Sequence, residues 1–135
     1  MPARIDIRAL PCHEGANSDA GAKRLFLAQG EFALLHPACP EIRFLGFLGF
    51  KAGIPRGGHY HPGKTEFFYL LHGEIELRTR DRESGETATH RVQAGDLVTL
   101  APNVEHLYLP LTAAEAVEFS ATPWAPQDTV IVPLA

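Results

Sequence analysis

GIPRGGHYHPGKTEFFYLLHG, residues Gly53 to Gly73, decides how the chain is read. Alternate side chains of an extended strand leave on the same face, so His59 and His61 point together while Tyr60 points away. The turn-forming Pro62-Gly63 lets the chain return as a second strand and brings Glu66 beside the histidine pair. Two nitrogens and one oxygen make an incomplete metal site. A fourth ligand has to come from elsewhere, and His106 is the candidate.

The spacing of this stretch resembles the first motif of the cupin family. Gly53, five residues, His59-Tyr60-His61, four residues, Glu66, six residues and Gly73 follow it position for position. The family's second motif, a Gly-Asp turn, a Pro-x-Gly corner and a ligand histidine, is similar to GDLVTLAPNVEH from Gly95 to His106. Pro102 lies one position later than in the family, and Asn103 stands where the family has glycine. Asn is the commonest non-glycine visitor to positive φ, so that exchange is mild. Pro110 occupies the place where the family often has an Asn after the ligand histidine. The resemblance implies a small single-domain cupin with an RmlC-like jelly-roll β-barrel, a double-stranded β-helix.

Working outward, short apolar segments alternate with turn signals: Phe67 to Leu71, Glu74 to Thr79, Thr89 to Val92, Leu97 to Leu100, His106 to Leu109 and Ala116 to Ala121. Many short strands with regular punctuation and almost no helical period predict an all-β sandwich or barrel. Ile42 to Phe50 is apolar on both parities and reads as a strand buried on both sides, with Gly46 and Gly49 permitting curvature. Arg4 to Arg8 alternates like an edge strand, and Cys12 to Lys23 reads as a loop over the barrel mouth or edge. The tail from Pro123, with Pro126 and Pro133, is too proline-rich for a central strand and is expected to cross the outside of the barrel or reach a partner subunit. The organisation is therefore one cupin domain over residues 1–135: a barrel core at about 41–121, an N-terminal strand and loop over 1–40, and a tail over 122–135.

Composition narrows the partners. A net charge of -4 with scattered Lys and Arg argues against a nucleic-acid surface, and no segment reads as a basic recognition helix. No apolar run is long enough to cross a bilayer. Cys12 and Cys39 lack metal-type spacing, and the opening MPARIDIRALP lacks the apolar core of a signal peptide, so free thiols and a cytoplasmic setting are expected.

Parity assigns faces. With Glu66 pointing inward, Phe68 and Leu70 follow it while Phe67, Tyr69 and Leu71 point out. Leaving three large groups in water would cost ~25 cal/mol per Å² of apolar surface. A second sheet, the tail or another subunit could cover them, and a homodimer through these strands is the expectation. Counting from His106 places Tyr108 on the ligand face, as a candidate catalytic residue or as a core tyrosine satisfied by a backbone carbonyl.

His59, His61, Glu66 and His106 suit one divalent first-row transition metal: Fe, Mn, Ni, Zn, Co or Cu. Four protein ligands on an octahedral ion leave two positions for a small-molecule substrate. His13, His36, His72 and His90 each stand alone at a turn or strand end, and only His72 shares the parity of Glu66. Arg56 is a second candidate catalytic group, a cation at the mouth for a substrate carboxylate or phosphate; Lys64 reads as a solvated loop charge. ArgGlyGlyHisTyrHis followed by LysThrGluPhePhe is similar to the cupin portion of enzymes that epimerise or reduce nucleotide-linked keto-sugars in capsule synthesis. The resemblance thus implies a metal-dependent isomerase or epimerase of a sugar or keto acid. The alternatives are a mononuclear metal dioxygenase and a non-catalytic binder of a small ligand or metal.

Overall fold

The computed structural model describes residues 3–18 and 20–133. Met1, Pro2, Asp19 of the expected loop and the last two residues of the expected tail lie outside the described residues. Strands carry the described part of the chain, with no α-helix. They are β1 (Ile5–Ala9), β2 (Cys12–Glu14), β3 (Lys23–Leu27), β4 (Gly30–Leu34), β5 (Phe44–Phe50), β6 (Arg56–Tyr60), β7 (Glu66–His72), β8 (Glu74–Asp81), β9 (Thr87–Gln93), β10 (Asp96–Leu100), β11 (Val104–Pro110), β12 (Ala114–Ser120) and β13 (Val130–Ile131). Single 3₁₀ turns span His36–Ala38 and Pro126–Asp128.

Two five-stranded antiparallel sheets, ordered β1-β10-β7-β12-β5 and β13-β6-β11-β8-β9, make the jelly-roll barrel. Alternation sends Phe68, Leu70, Val98 and Ala116 of the first sheet against Ile75, Leu77 and Val104 of the second, and this apolar core fills the barrel. The expected strands all form, each within a few residues of its expected bounds.

Three expectations need correction. Cys12 to Lys23 is not all loop, because β2 pairs in parallel with β3, which pairs with β4 as a third sheet. Three residues without apolar alternation give no local signal; the partner strand defines them. Second, β5 is buried on one face only. It is an edge strand, with Phe44, Gly46, Leu48 and Phe50 turned one way and Leu45 and Phe47 left 66% and 61% exposed. Apolar residues on both parities are thus no proof of a central strand.

Third, Tyr69, Phe67 and Leu71 do point away from the barrel interior, yet the chain itself covers them. They pack with Leu10, Cys39, Leu97 and Phe119, beneath Ala33, Leu35 and Ala38 of the N-terminal segment. This face therefore supplies no reason for a second subunit. Cys12 is exposed, Cys39 is buried, and both are free thiols. No helix among the described residues is long and apolar enough to cross a membrane.

Candidate metal centre and its pocket

Three strands bring the expected ligands together. β6 carries His59 and leads into His61, β11 carries His106, and β7 opens with Glu66. His59 lies directly opposite His106 in the β6–β11 ladder, which then shifts register at a bulge. The close approach needs Gly57. Its φ is +100°, and a Cβ there would stand 2.8 Å from the His106 carbonyl oxygen, so any other residue would push the strands apart. In the second motif Asn103 holds the corner with φ 67°, the conformation its replacement of glycine requires.

The ligand atoms of His59, His61 and His106 all lie within 4.8 Å of one another. Glu66 joins them through Oε1 at 3.3 Å from His61 Nε2 and Oε2 at 3.6 Å from His106 Nε2. Tyr60 points away, as expected, with the Arg82 guanidinium over its ring at 4.4 Å.

Hydrogen bonding on the far side of two rings sets their tautomers. Nδ1 of His61 donates to the Asp128 carbonyl at 2.7 Å, and Nδ1 of His106 donates to the Val104 carbonyl at 3.0 Å. In the neutral ring each Nε2 is then a lone pair, and both are buried without a hydrogen-bond partner. Buried acceptors of this kind are rare because each forfeits its hydration. Here they face a carboxylate as well, so acceptors converge on acceptors unless a metal cation or a proton lies between them. Backbone carbonyls orienting ring N–H groups are also the usual support behind ligand histidines. The cluster is compatible with a divalent metal ion.

Protonation states agree with that. Burial, reinforced by His106 and His61, pushes His59 down to about 4, and burial also pushes His106 down against the pull of Glu66. Neutral imidazole is the form that binds metal. Burial opposes the Glu66 anion, but His106, His61 and Lys64 outweigh it and hold the group well below the usual carboxylate range. Tyr108 donates its Oη hydrogen to Glu66 Oε2 at 2.8 Å. Burial and the Glu66 charge raise its phenol well above the ordinary value, so it stays protonated.

A pocket of about 180 Å³ opens from this cluster. Arg56 stands in its wall, exposed, with Nη1 donating to the Gly49 carbonyl at 3.2 Å and the guanidinium 5.5 Å from the Phe50 ring centre. Lys64 is not the solvated charge its loop position suggests: it is buried, with Nζ 3.9 Å from Glu66 Oε1 and 5.0 Å from the Phe44 ring centre. It stands two residues before Glu66 and so shares its face, a parity signal already present in the sequence. His13 pairs with Asn17 and His90 with Thr79, neither at the pocket. His72 is exposed and lies outside the pocket lining.

Two contributions escaped the sequence reading. Glu118 faces the pocket from β12, where burial and then the Glu66 charge raise its carboxyl to about 7 although Lys64 pulls the other way. The tail does not run outside the barrel: Pro123, Trp124, Ala125, Asp128 and Thr129 line the pocket, and β13 pairs with β6. Asp128 is bound twice, through its carbonyl to His61 and through Oδ1 to the Gly63 N–H at 2.9 Å. Inward parity on β12 was countable from Ala114, Ala116 and Glu118; the tail's path had no local cue.

Fold and site together define a jelly-roll barrel with an interior imidazole–carboxylate cluster. Residues 49–120 match the sequence profile of the cupin domain family, and the chain belongs to that family. No curated protein matches it. Among solved structures, it is similar to a sugar 3,4-ketoisomerase from Thermoanaerobacterium thermosaccharolyticum in complex with TDP, with 13% identity, a TM-score of 0.75, and 96% of this chain and 89% of the other covered. It is also similar to the capsular polysaccharide assembling protein CapF from Staphylococcus aureus: 22% identity, TM-score 0.59, 67% of this chain and 26% of CapF. The Mycobacterium tuberculosis rmlC epimerase aligns at 13% identity and TM-score 0.67 over 82% of this chain and 65% of its own. At these identities the likeness establishes the fold.

Proposed function

We propose that this chain is a metal-dependent cupin isomerase or epimerase acting on a polar carbonyl compound, a sugar or keto acid. The carrying observation is the convergence of His59, His61 and His106 on Glu66 with two buried, unpartnered Nε2 atoms. Similarity in fold to sugar 3,4-ketoisomerases and to an epimerase supports the choice of reaction class.

His59, His61, Glu66 and His106 would hold the divalent ion, which would supply Lewis-acid stabilisation of negative charge developing on a substrate oxygen. The remaining tasks belong to the pocket residues. Tyr108 spends its one proton on Glu66, which suits it to fixing the carboxylate rather than to transferring a proton. Lys64 balances the Glu66 charge from behind. Arg56, exposed in the pocket wall, suits an anionic substituent of the substrate. The pocket accommodates the reacting part of a sugar, and a larger substituent would extend past Trp124, which is 64% exposed.

The test is reconstitution with iron, manganese, nickel or zinc, followed by incubation in D₂O with TDP-4-keto-6-deoxyglucose, the keto-sugar bound by a variant of the Thermoanaerobacterium enzyme, or with pyruvate. Deuterium entering the carbon next to the carbonyl, lost in His106→Ala, is the expected result. Oxygen uptake by the iron-loaded protein would instead make it a dioxygenase, since isomerisation consumes no oxidant.

A further inference from the structure

We infer that Glu118 is the catalytic residue that removes and returns the substrate's carbon-bound proton. The inference rests on the isomerase reading above and assigns its proton-transfer step. Other ionisable groups around the pocket are already engaged. Glu66 accepts from Tyr108 and faces Lys64, His61 and His106, while Asp128 accepts from the Gly63 N–H. Nδ1 of both His61 and His106 is committed to a backbone carbonyl, and His59 belongs to the ligand cluster. Glu118, by contrast, has no hydrogen bond or ion pair with any described residue, although it is half-buried beside Leu48 and Phe50. An ionisable group so placed is more costly to keep than an apolar one, which points to use rather than packing.

Its setting also suits movement toward a ligand. Glu118 pairs across the ladder with Gly46 on one side and Phe68 on the other. Gly46 has no side chain to flank it; a Cβ there would come within 3.8 Å of Glu118 Cγ and 3.3 Å of the Phe44 ring. The carboxyl stands on the first sheet, whereas His59 and His106 project from the second. A small molecule held by its oxygens at His59 and His106 would lie in the pocket that Glu118 lines from the opposite sheet.

For a hydroxy-ketone the step balances without a further reagent. The Glu118 carboxylate takes the proton from the hydroxyl-bearing carbon, and the C–H electron pair becomes the double bond of an enediolate as the carbonyl π pair moves onto its oxygen. The hydroxyl proton shifts to the neighbouring oxygen, and the Glu118 carboxylic acid delivers its proton to the former carbonyl carbon. Return to the original carbon from the same pool gives exchange with solvent.

The experiment compares metal-loaded wild type, Glu118→Gln and Glu118→Asp in D₂O with the same two probes, alongside metal content and circular dichroism. Exchange about 100-fold slower in Glu118→Gln is expected, the size usual for loss of a general acid–base group. Metal content and spectrum should stay unchanged, with rate partly recovered in Glu118→Asp. Full exchange by folded, metal-loaded Glu118→Gln overturns this inference and leaves the isomerase reading standing. Should Glu118→Gln fail to fold, exchange by Glu118→Asp at the wild-type rate, despite its shorter reach, overturns it equally. No exchange by wild type with either probe defeats the isomerase reading and this inference with it.

Discussion

His61 is held in the pose that a metal ligand would need. Its Nδ1–H is tied to the Asp128 carbonyl, its Nε2 lone pair is buried, and Glu66 stands 3.3 Å away. The same logic makes Tyr108 a support for Glu66. Tyr108→Phe removes the 2.8 Å hydrogen bond and leaves Oε2 short of a donor. We expect about 1–2 kcal/mol lower stability by thermal unfolding, and metal affinity about tenfold weaker in a competition titration with a chromophoric chelator. Unchanged affinity would mean that Glu66 is oriented by other groups. At this scale the sequence was most legible where ligand type and alternation coincide, at His59, His61, Glu66 and His106. It is least legible at the unremarkable residues of the pocket wall: Lys64 reads as a loop charge, and Glu118 is one acid among many.

Among the elements, the tail is the one whose role was hidden. Its described residues meet the barrel through contacts distant in sequence, among them Val130 with Tyr60 and Ile131 with His59, and such pairing leaves no local pattern. Deleting residues 123–135 removes the carbonyl that holds His61 and opens one wall of the pocket. Metal affinity should fall at least about tenfold, with the barrel's circular dichroism retained; tight binding by the truncated chain would contradict this. On β11 the buried Glu105 carboxylate is clasped by Arg80 at 2.6 and 3.0 Å and by Arg82 at 3.2 Å. The Arg80 hydrogen bond overrides burial and lowers its pKa below the ordinary 4.5. A carboxyl depressed in the folded state stabilises fully above its unfolded pKa and loses that contribution as pH falls through the folded one. Acid unfolding below about pH 4.5 should therefore be less steep in Glu105→Gln. At neutral pH the same variant should be about 2 kcal/mol less stable, because two cations lose their shared partner.

For the molecule as a whole, turn punctuation and the paired motifs were enough to read an all-β jelly roll, since each strand announces itself within a few residues. The layering was not readable: that the N-terminal segment folds over Tyr69 and Phe119 depends on contacts distant in sequence. The homodimer expected through β7 consequently loses its original ground. A different surface keeps it as a proposal, because β5 shows Leu45 and Phe47 to solvent along an edge that no other described strand pairs. Light scattering should give twice the chain mass for wild type and the single mass for Phe47→Lys; a monomeric wild type would refute the dimer.

All of this converges on a cation among His59, His61, Glu66 and His106. Elemental analysis of protein purified without a histidine tag addresses it most directly. We expect about one first-row transition metal ion per chain, reduced to background in His106→Ala. Protein that stays metal-free after reconstitution with iron, manganese, nickel and zinc would contradict the account.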